Sequence, residues 1–174
     1  MQSITANIVS GVVILFERPV KVGDMVMLKD TIGEVIKINL RASIVRTIFN
    51  EHLIVPNSEF INQVVENMSY GDLKLRISVK VGVSYGTDAD LVRDTLIEAA
   101  LATETVLNDP PPEVLFKEFG NSSLDFELFV WISNPQYKFK VGSDLHFIIL
   151  KRFNQLGIKI PFPQRDIYVK EMPG

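Results

Sequence analysis

The run Leu73-Lys74-Leu75-Arg76-Ile77-Ser78-Val79-Lys80-Val81 alternates apolar and polar residues without a break. A period of two is the side-chain period of an extended strand, so the run reads as a strand with one buried face and one basic face. It follows Tyr70-Gly71-Asp72, where turn residues interrupt an earlier pattern, and so it marks a junction between two domains. Downstream, Thr87 is expected to cap a helix with Asp90 at its third position and Leu91, Val92, Leu96, Ala99 and Ala100 as its apolar stripe. Pro110-Pro111-Pro112 forces an extended connection. Glu113–Phe119 and Leu124–Ile132 then form a hairpin across Gly120-Asn121-Ser122-Ser123, with Phe126, Leu128, Val130 and Ile132 sharing a face. A second helix is predicted from Val141 to Gln155, with Leu145, Ile148, Ile149, Phe153 and Leu156 on one side and Gly157 at its C-terminal cap. Ile158–Ile160 closes the series as a short strand, giving the order β-α-β-β-α-β of a ferredoxin-like domain over residues 71–161. Beyond Pro161-Phe162-Pro163, Asp166–Lys170 alternates like one more strand with no hairpin partner nearby, which points to strand sharing between subunits.

Upstream of the junction the elements are shorter. Asp24–Lys29, Gly33–Leu40, Ser43–Ile48 and His52–Val55 read as strands, with a turn near Asn50-Glu51 and Pro56-Asn57 ending the run. In Gly33–Leu40 the alternation puts Ile36, Ile38 and Leu40 on one face and Val35, Lys37 and Asn39 on the other. Short strands at this spacing predict a compact, strongly bent sheet of the small-barrel kind, and an α+β class for the whole chain.

The first sixteen residues, Met1–Phe16, carry no charge and stop at Glu17-Arg18-Pro19. A bilayer span needs about 20 apolar residues, so this run is too short to cross alone. It reads either as half of a membrane helix or as the N-terminal core helix of an ordinary domain. A secretory signal carries its basic residues before the apolar run, whereas Arg18 and Lys21 come after it. By the positive-inside tendency those two residues place the body of the chain on the cytoplasmic side of a membrane.

Composition narrows the classes of function. The 174 residues are 47% hydrophobic, ample for a packed core, and carry a net charge of -3. That balance argues against a nucleic-acid binder, whose affinity comes from neutralising phosphates. Absence of cysteine removes disulfides, thiolate metal sites and thiol nucleophiles together. His52 and His146 lack metal-binding spacing, and no nucleophile elbow, phosphate loop or dinucleotide fingerprint occurs, so neither a cofactor nor enzymatic activity is expected. Asp88 and Asp90 at a helix start favour the helix dipole, and Asp125 and Glu127 lie on the strand face shared with Phe129 and Trp131.

Four motifs in order resemble the small-conductance mechanosensitive channel family (MscS-like). Asn7-Ile8-Val9-Ser10-Gly11-Val12 through Phe16-Glu17-Arg18-Pro19-Val20-Lys21-Val22-Gly23-Asp24 resembles the end of its pore helix and the following linker. Ile54-Val55-Pro56-Asn57 resembles its β-domain signature, Gly82-Val83-Ser84-Tyr85-Gly86-Thr87-Asp88 its strand-to-helix corner, and Ile160-Pro161-Phe162-Pro163-Gln164 its C-terminal turn. The resemblance implies a homoheptameric channel in the cell membrane, opened by bilayer tension, that releases ions and small solutes in dilute medium. Residues 1–18 would be the cytoplasmic half of the pore helix, in contact with lipid, 19–70 a small, bent, five-stranded β domain of Sm-like kind, 71–161 the ferredoxin-like α/β domain, and 162–174 a barrel strand and tail. Ser3, Ala6, Ser10 and Gly11 would allow close helix packing, with Gly11 a bending point; many members carry a glycine where this chain has Ser3. Asn7 would lie against Asn57 and Ser58 and couple the helix to the β domain, and Arg18 and Lys21 would sit at the membrane interface. The rival from another class is a soluble RNA-binding module, which requires exposed aromatics flanked by basic residues on its central strands. An acyl-phosphate hydrolase of ferredoxin-like fold lacks its phosphate-cradling loop here.

Overall fold

The computed structural model describes residues 4–168 and divides the chain into two compact units, with the boundary at Leu75–Arg76. Unit 1 opens with helix α1 (Ile4–Glu17), which runs unbroken through Gly11. Its C-terminus turns sharply because Arg18 adopts φ +52° while its N–H donates to Ile14 O at 2.9 Å. The left-handed conformation costs a residue with a Cβ roughly 1–2 kcal/mol, so something other than local preference must hold this turn.

Strands β1 (Met25–Leu28), β2 (Thr31–Ile38), β3 (Ala42–Thr47) and β4 (His52–Pro56), a helix α2 (Asn57–Asn62) and a two-residue strand β5 (Glu66–Asn67) follow. They form a five-stranded sheet in the order β4-β3-β2-β1-β5, in which each described pairing is antiparallel. The core gathers Ile14 of α1 with Val20, Val26, Val35, Val45 and Phe60, so α1 is anchored in the unit by an apolar contact. At roughly 25 cal/mol per Å2, burying an isoleucine side chain such as Ile14 contributes about 1.5–3 kcal/mol.

Two local expectations are corrected here. In β2 the core residue is Val35, fully buried, while Leu40 is 54% exposed. The pairing with β3 jumps from Val35↔Val45 to Lys37↔Ile44, so Ile36 is an extra residue that reverses the alternation. The expected face of Ile36, Ile38 and Leu40 therefore splits, and only Ile38 on the far side of the bulge packs against the core. Helix α2 was also not expected: it starts where the strand run was read as simply ending.

Unit 2 contains β6 (Leu75–Val83), α3 (Ala89–Leu101), β7 (Glu113–Phe119), β8 (Leu124–Ile132) and α4 (Lys138–Leu156). Its three strands lie in the order β6-β8-β7. Phe126, Leu128, Val130 and Ile132 of β8 are buried with Val92, Leu96 and Ala99 of α3 and Val141, Leu145, Ile149 and Phe153 of α4. Gly157 ends α4 at φ +69°, where glycine carries no Cβ penalty. The cap of α3 is Asp88, not Thr87: its carboxylate accepts from the N–H groups of Asp90 and Leu91, whereas the Thr87 hydroxyl donates to Ser84 O at 2.7 Å. The acceptor one residue nearer the helix reaches the free N–H groups, and the Thr87 hydroxyl is already engaged with Ser84 O. The fourth strand of the βαββαβ order is present as an extended segment: Ile158 is buried and Lys159 O accepts from Ser84 N at 2.9 Å, but no ladder continues from it. Asp166–Tyr168 is irregular, and the remainder of the expected terminal strand, Val169 and Lys170, lies outside the described residues.

Candidate functional site

The polar groups of unit 1 converge where α1 meets the start of α2. Pro56 precedes the helix, and the backbone there leaves the first N–H groups without partners inside α2. One of them is satisfied from a distant part of the chain: Ser58 N donates to Asn7 Oδ1 at 3.1 Å. Asn7 thus serves α2 as a cap supplied by α1.

Asn57 is fully buried beside it. Its Nδ2 donates to Asn39 O at 2.9 Å and to Leu40 O at 3.0 Å, and its Oδ1 accepts from Ser43 Oγ at 2.9 Å. Its backbone N–H donates to Arg41 O at 3.1 Å. A buried amide with both ends satisfied fixes the β2–β3 connection in one geometry, because any shift strands a polar group out of water.

Gly11 of α1 lies directly on this hub. A Cβ at Gly11 would stand 2.3 Å from Leu40 O and 2.6 Å from Asn57 Nδ2, so only a glycine permits the helix to approach this closely. Ser10 beside it is buried as well. Of the small residues expected to line a helix-packing face, Ser10 and Gly11 turn toward the β strands, Ala6 is exposed, and Ser3 lies outside the described residues. The expected trio Asn7, Asn57 and Ser58 is brought together. Arg18 and Lys21 are both exposed after the helix.

A second polar cluster was not foreseen. Asn67 of β5 donates through Nδ2 to Pro19 O at 3.0 Å and to Asp24 Oδ2 at 2.7 Å, and its Oδ1 accepts from Ser69 N at 3.0 Å. Asp24 Oδ2 also accepts from Lys21 N at 2.9 Å. The sequence signal available was modest: asparagine in so short a strand is out of place unless its side chain works locally.

In unit 2 the sheet face away from the apolar residues of β8 is polar. Glu127 is nearly buried, accepts from Ser78 Oγ at 2.8 Å and pairs with Lys117 Nζ at 3.3 Å. The Ser78 hydrogen bond holds the Glu127 carboxyl below its ordinary range, burial opposes this, and Lys117 reinforces it. Arg76 pairs with Glu113 and stacks over Phe129 at 4.3 Å from the ring centroid. Lys80, Lys117, Glu118, Asp125 and Glu127 line a shallow cleft. This face does not suit RNA: Phe129 is covered by Arg76, Glu118, Asp125 and Glu127 stand among its lysines, and Phe126 is buried on the opposite face. Among the described residues no group of histidines and carboxylates is arranged to hold a metal ion, and no helix is long and apolar enough to cross a membrane.

Two family models cover most of the chain in sequence order. Residues 3–70 match the β-domain of the mechanosensitive ion channels, and residues 77–160 match the C-terminal domain of MscS. This chain belongs to the mechanosensitive ion channel family. It is 34% identical to the mechanosensitive channel MscK of Escherichia coli over its full length, and 39% identical over 98% of its length to an uncharacterised MscS family protein of Haemophilus influenzae. It spans only 16% and 15% of those relatives. Among solved structures it is similar to the closed-state crystal structure of Helicobacter pylori MscS, with a TM-score of 0.86 and 28% identity over 97% of this chain and 66% of that one. The α+β architecture stands on this likeness as well, and the family is one of ion channels, not of enzymes or RNA-binding modules.

Proposed function

We propose that this chain is the lower pore helix and cytoplasmic vestibule of a tension-gated channel that assembles from seven copies in the cell membrane and releases ions and small solutes on hypo-osmotic shock. The observation that carries this reading is the joint in unit 1. A helix uncharged as far as Phe16 is fastened to a family β-domain through Asn7–Ser58, Gly11 and Asn57, so a change in helix angle is transmitted to the strands. In this reading residues 1–18 are the half pore helix, 19–70 the β domain, 71–161 the α/β domain and 162–174 the intersubunit strand and tail. Ser3, Ala6, Ser10 and Gly11 let the helix pack and bend, and the exposed Arg18 and Lys21 meet lipid headgroups on the cytoplasmic side.

The test expresses the protein that carries this chain in bacterial cells stripped of their own mechanosensitive channels, transfers them to dilute medium and scores survival, with pressure ramps on excised patches. Restored survival with stretch-activated currents is the expected result. Lysis at the rate of empty cells, with the protein present in the membrane and silent under pressure, overturns it. Native mass spectrometry of the same protein in mild detergent is expected to show a seven-subunit species.

A further inference from the structure

We infer that Asn67 is a positioning residue that holds the exit of α1 in a strained turn and thereby fixes the direction of that helix against its own sheet. The role rests on reading α1 as the lower pore helix; the geometry that supports it does not. Four observations meet at this point. Arg18 sits at φ +52°, a conformation its own sequence does not favour. The next carbonyl, that of Pro19, accepts from Asn67 Nδ2 at 3.0 Å, across 48 residues of sequence. The second Nδ2 hydrogen goes to Asp24 Oδ2 at 2.7 Å, the same oxygen that accepts from Lys21 N at 2.9 Å, so both ends of the turn are tied to one amide. Asn67 Oδ1 accepts from Ser69 N, and Ser69 Oγ in turn accepts from Met25 N at 3.1 Å, which fastens the amide to β1.

Both donors and the acceptor of Asn67 are thus engaged, and each bond closes the path between helix and sheet. Val20, 4% exposed, plugs the turn into the core but as an apolar residue cannot choose the orientation of the peptide beside it. Removing the amide leaves Arg18 free to relax toward the right-handed or extended regions. Either change redirects α1, because the turn is the covalent link between the helix and β1. Aspartate is the informative substitution. Asn67→Asp keeps the shape but sets a carboxylate against Asp24 and Pro19 O, replacing two attractions by two repulsions. Adding Asp24→Asn returns a donor to the 24–67 contact and so removes one of the two repulsions, while Pro19 O still faces the carboxylate and Lys21 N loses the oxygen it shared with residue 67, so the return is partial.

The experiment exploits the absence of cysteine from these 174 residues, with any cysteine elsewhere in the protein first replaced by serine. Spin labels at Val12→Cys on α1 and Lys37→Cys on β2, both exposed positions, are introduced into the full protein in lipid nanodiscs, with labelled chains diluted among unlabelled ones. Electron-electron resonance then reads the intrachain distance distribution. The native Asn67 background is expected to give one narrow distance, Asn67→Asp a broadened or displaced one, and Asn67→Asp with Asp24→Asn a return toward the native distribution. Thr47→Val, which removes the acceptor for Phe49 N and Glu51 N in the β3–β4 hairpin, supplies the structural control: it lowers thermal stability and leaves the distance unchanged. An unaltered distribution in Asn67→Asp with an intact fold overturns the inference, as does a broadening of equal size in Thr47→Val. If Asn67→Asp does not fold, Asn67→Ser is used and the same two results decide. Pressure ramps separate this inference from the channel reading: a broadened distance in a protein that never conducts upholds the clamp and removes the channel, whereas stretch-activated currents with an unaltered distance do the reverse.

Discussion

Replacing Gly11 by alanine sets two effects of opposite sign against each other. In an isolated helix the change is favourable by about 0.5–1 kcal/mol, because alanine loses less conformational freedom. In this protein the new Cβ would stand 2.3 Å from Leu40 O and 2.6 Å from Asn57 Nδ2, against ordinary contacts of at least roughly 3.4 Å. Leu40 O is a backbone atom held by Asn57, so it cannot swing aside as a side-chain tip would. The helix must therefore retreat by about 1 Å, which loosens Ile14 in the core and stretches the Ser58–Asn7 hydrogen bond. Overpacking of this kind costs about 1–3 kcal/mol, and losing the hydrogen bond adds roughly 1 kcal/mol. The steric effect outweighs the propensity gain, leaving a net destabilisation of about 1–3 kcal/mol. With a guanidinium slope of roughly 4 kcal/mol/M, the unfolding midpoint of unit 1 falls by about 0.5 M. Intrinsic tyrosine and tryptophan fluorescence cannot isolate this unit, so the assay is amide hydrogen exchange followed by mass spectrometry over α1 and α2 in mild detergent, at increasing guanidinium. A Gly11→Ala protein whose α1 exchanges more slowly than the native one refutes the reasoning, because it means propensity governs and the close approach does not.

Other perturbations probe different contacts. Asn57→Leu is expected to destabilise unit 1 by about 2–4 kcal/mol, since Asn39 O, Leu40 O and Ser43 Oγ lose their buried partner together; the same exchange measurement over β2–β3 reads it. Asp88→Ala removes the cap of α3 and is expected to lower the stability of unit 2 by about 1 kcal/mol, seen as faster exchange in the first turn of that helix. Glu127 has a folded-state pKa below its unfolded value, so its contribution to stability is present above the unfolded value and is lost as pH falls through the folded one. Glu127→Gln is therefore expected to flatten the acid limb of the stability profile of unit 2, with little change in its shape near neutral pH.

Legibility in the sequence tracked the distance over which each element is determined. Strand β6, the β7–β8 hairpin and α4 with Gly157 were readable because their periodicity and caps are local to the chain. The bulge at Ile36 was not, since it exists only relative to β3, and it moved Val35 into the core against the apparent alternation. Helix α2 is short and has one N–H group satisfied by Asn7, 51 positions earlier, so no window of sequence contains its cap; Pro56-Asn57-Ser58-Glu59 was the start signal that could have found it. The joint itself was only half legible. Asn7, Asn57 and Ser58 came from family likeness, and the position of Gly11 on the Leu40 carbonyl came from neither propensity nor pattern. Asn67 was missed because its partners Pro19 and Asp24 lie in a turn that looks self-sufficient on paper.

Strand β7 has a bearing on how such a chain survives its own synthesis. It forms the outer strand of the β6-β8-β7 sheet, and Leu115, Phe116 and Phe119 remain 40%, 42% and 73% exposed along it. A newly made copy therefore displays a seven-residue edge with aromatic side chains to every other copy leaving the ribosome. Glu113 precedes those apolar residues and Lys117 and Glu118 separate Phe116 from Phe119, so two β7 strands that meet must juxtapose charges before they can zip together. Charges so placed oppose edge-to-edge pairing, and a variant in which Lys117 and Glu118 are made apolar is expected to shift freshly expressed protein into the insoluble fraction of the cell.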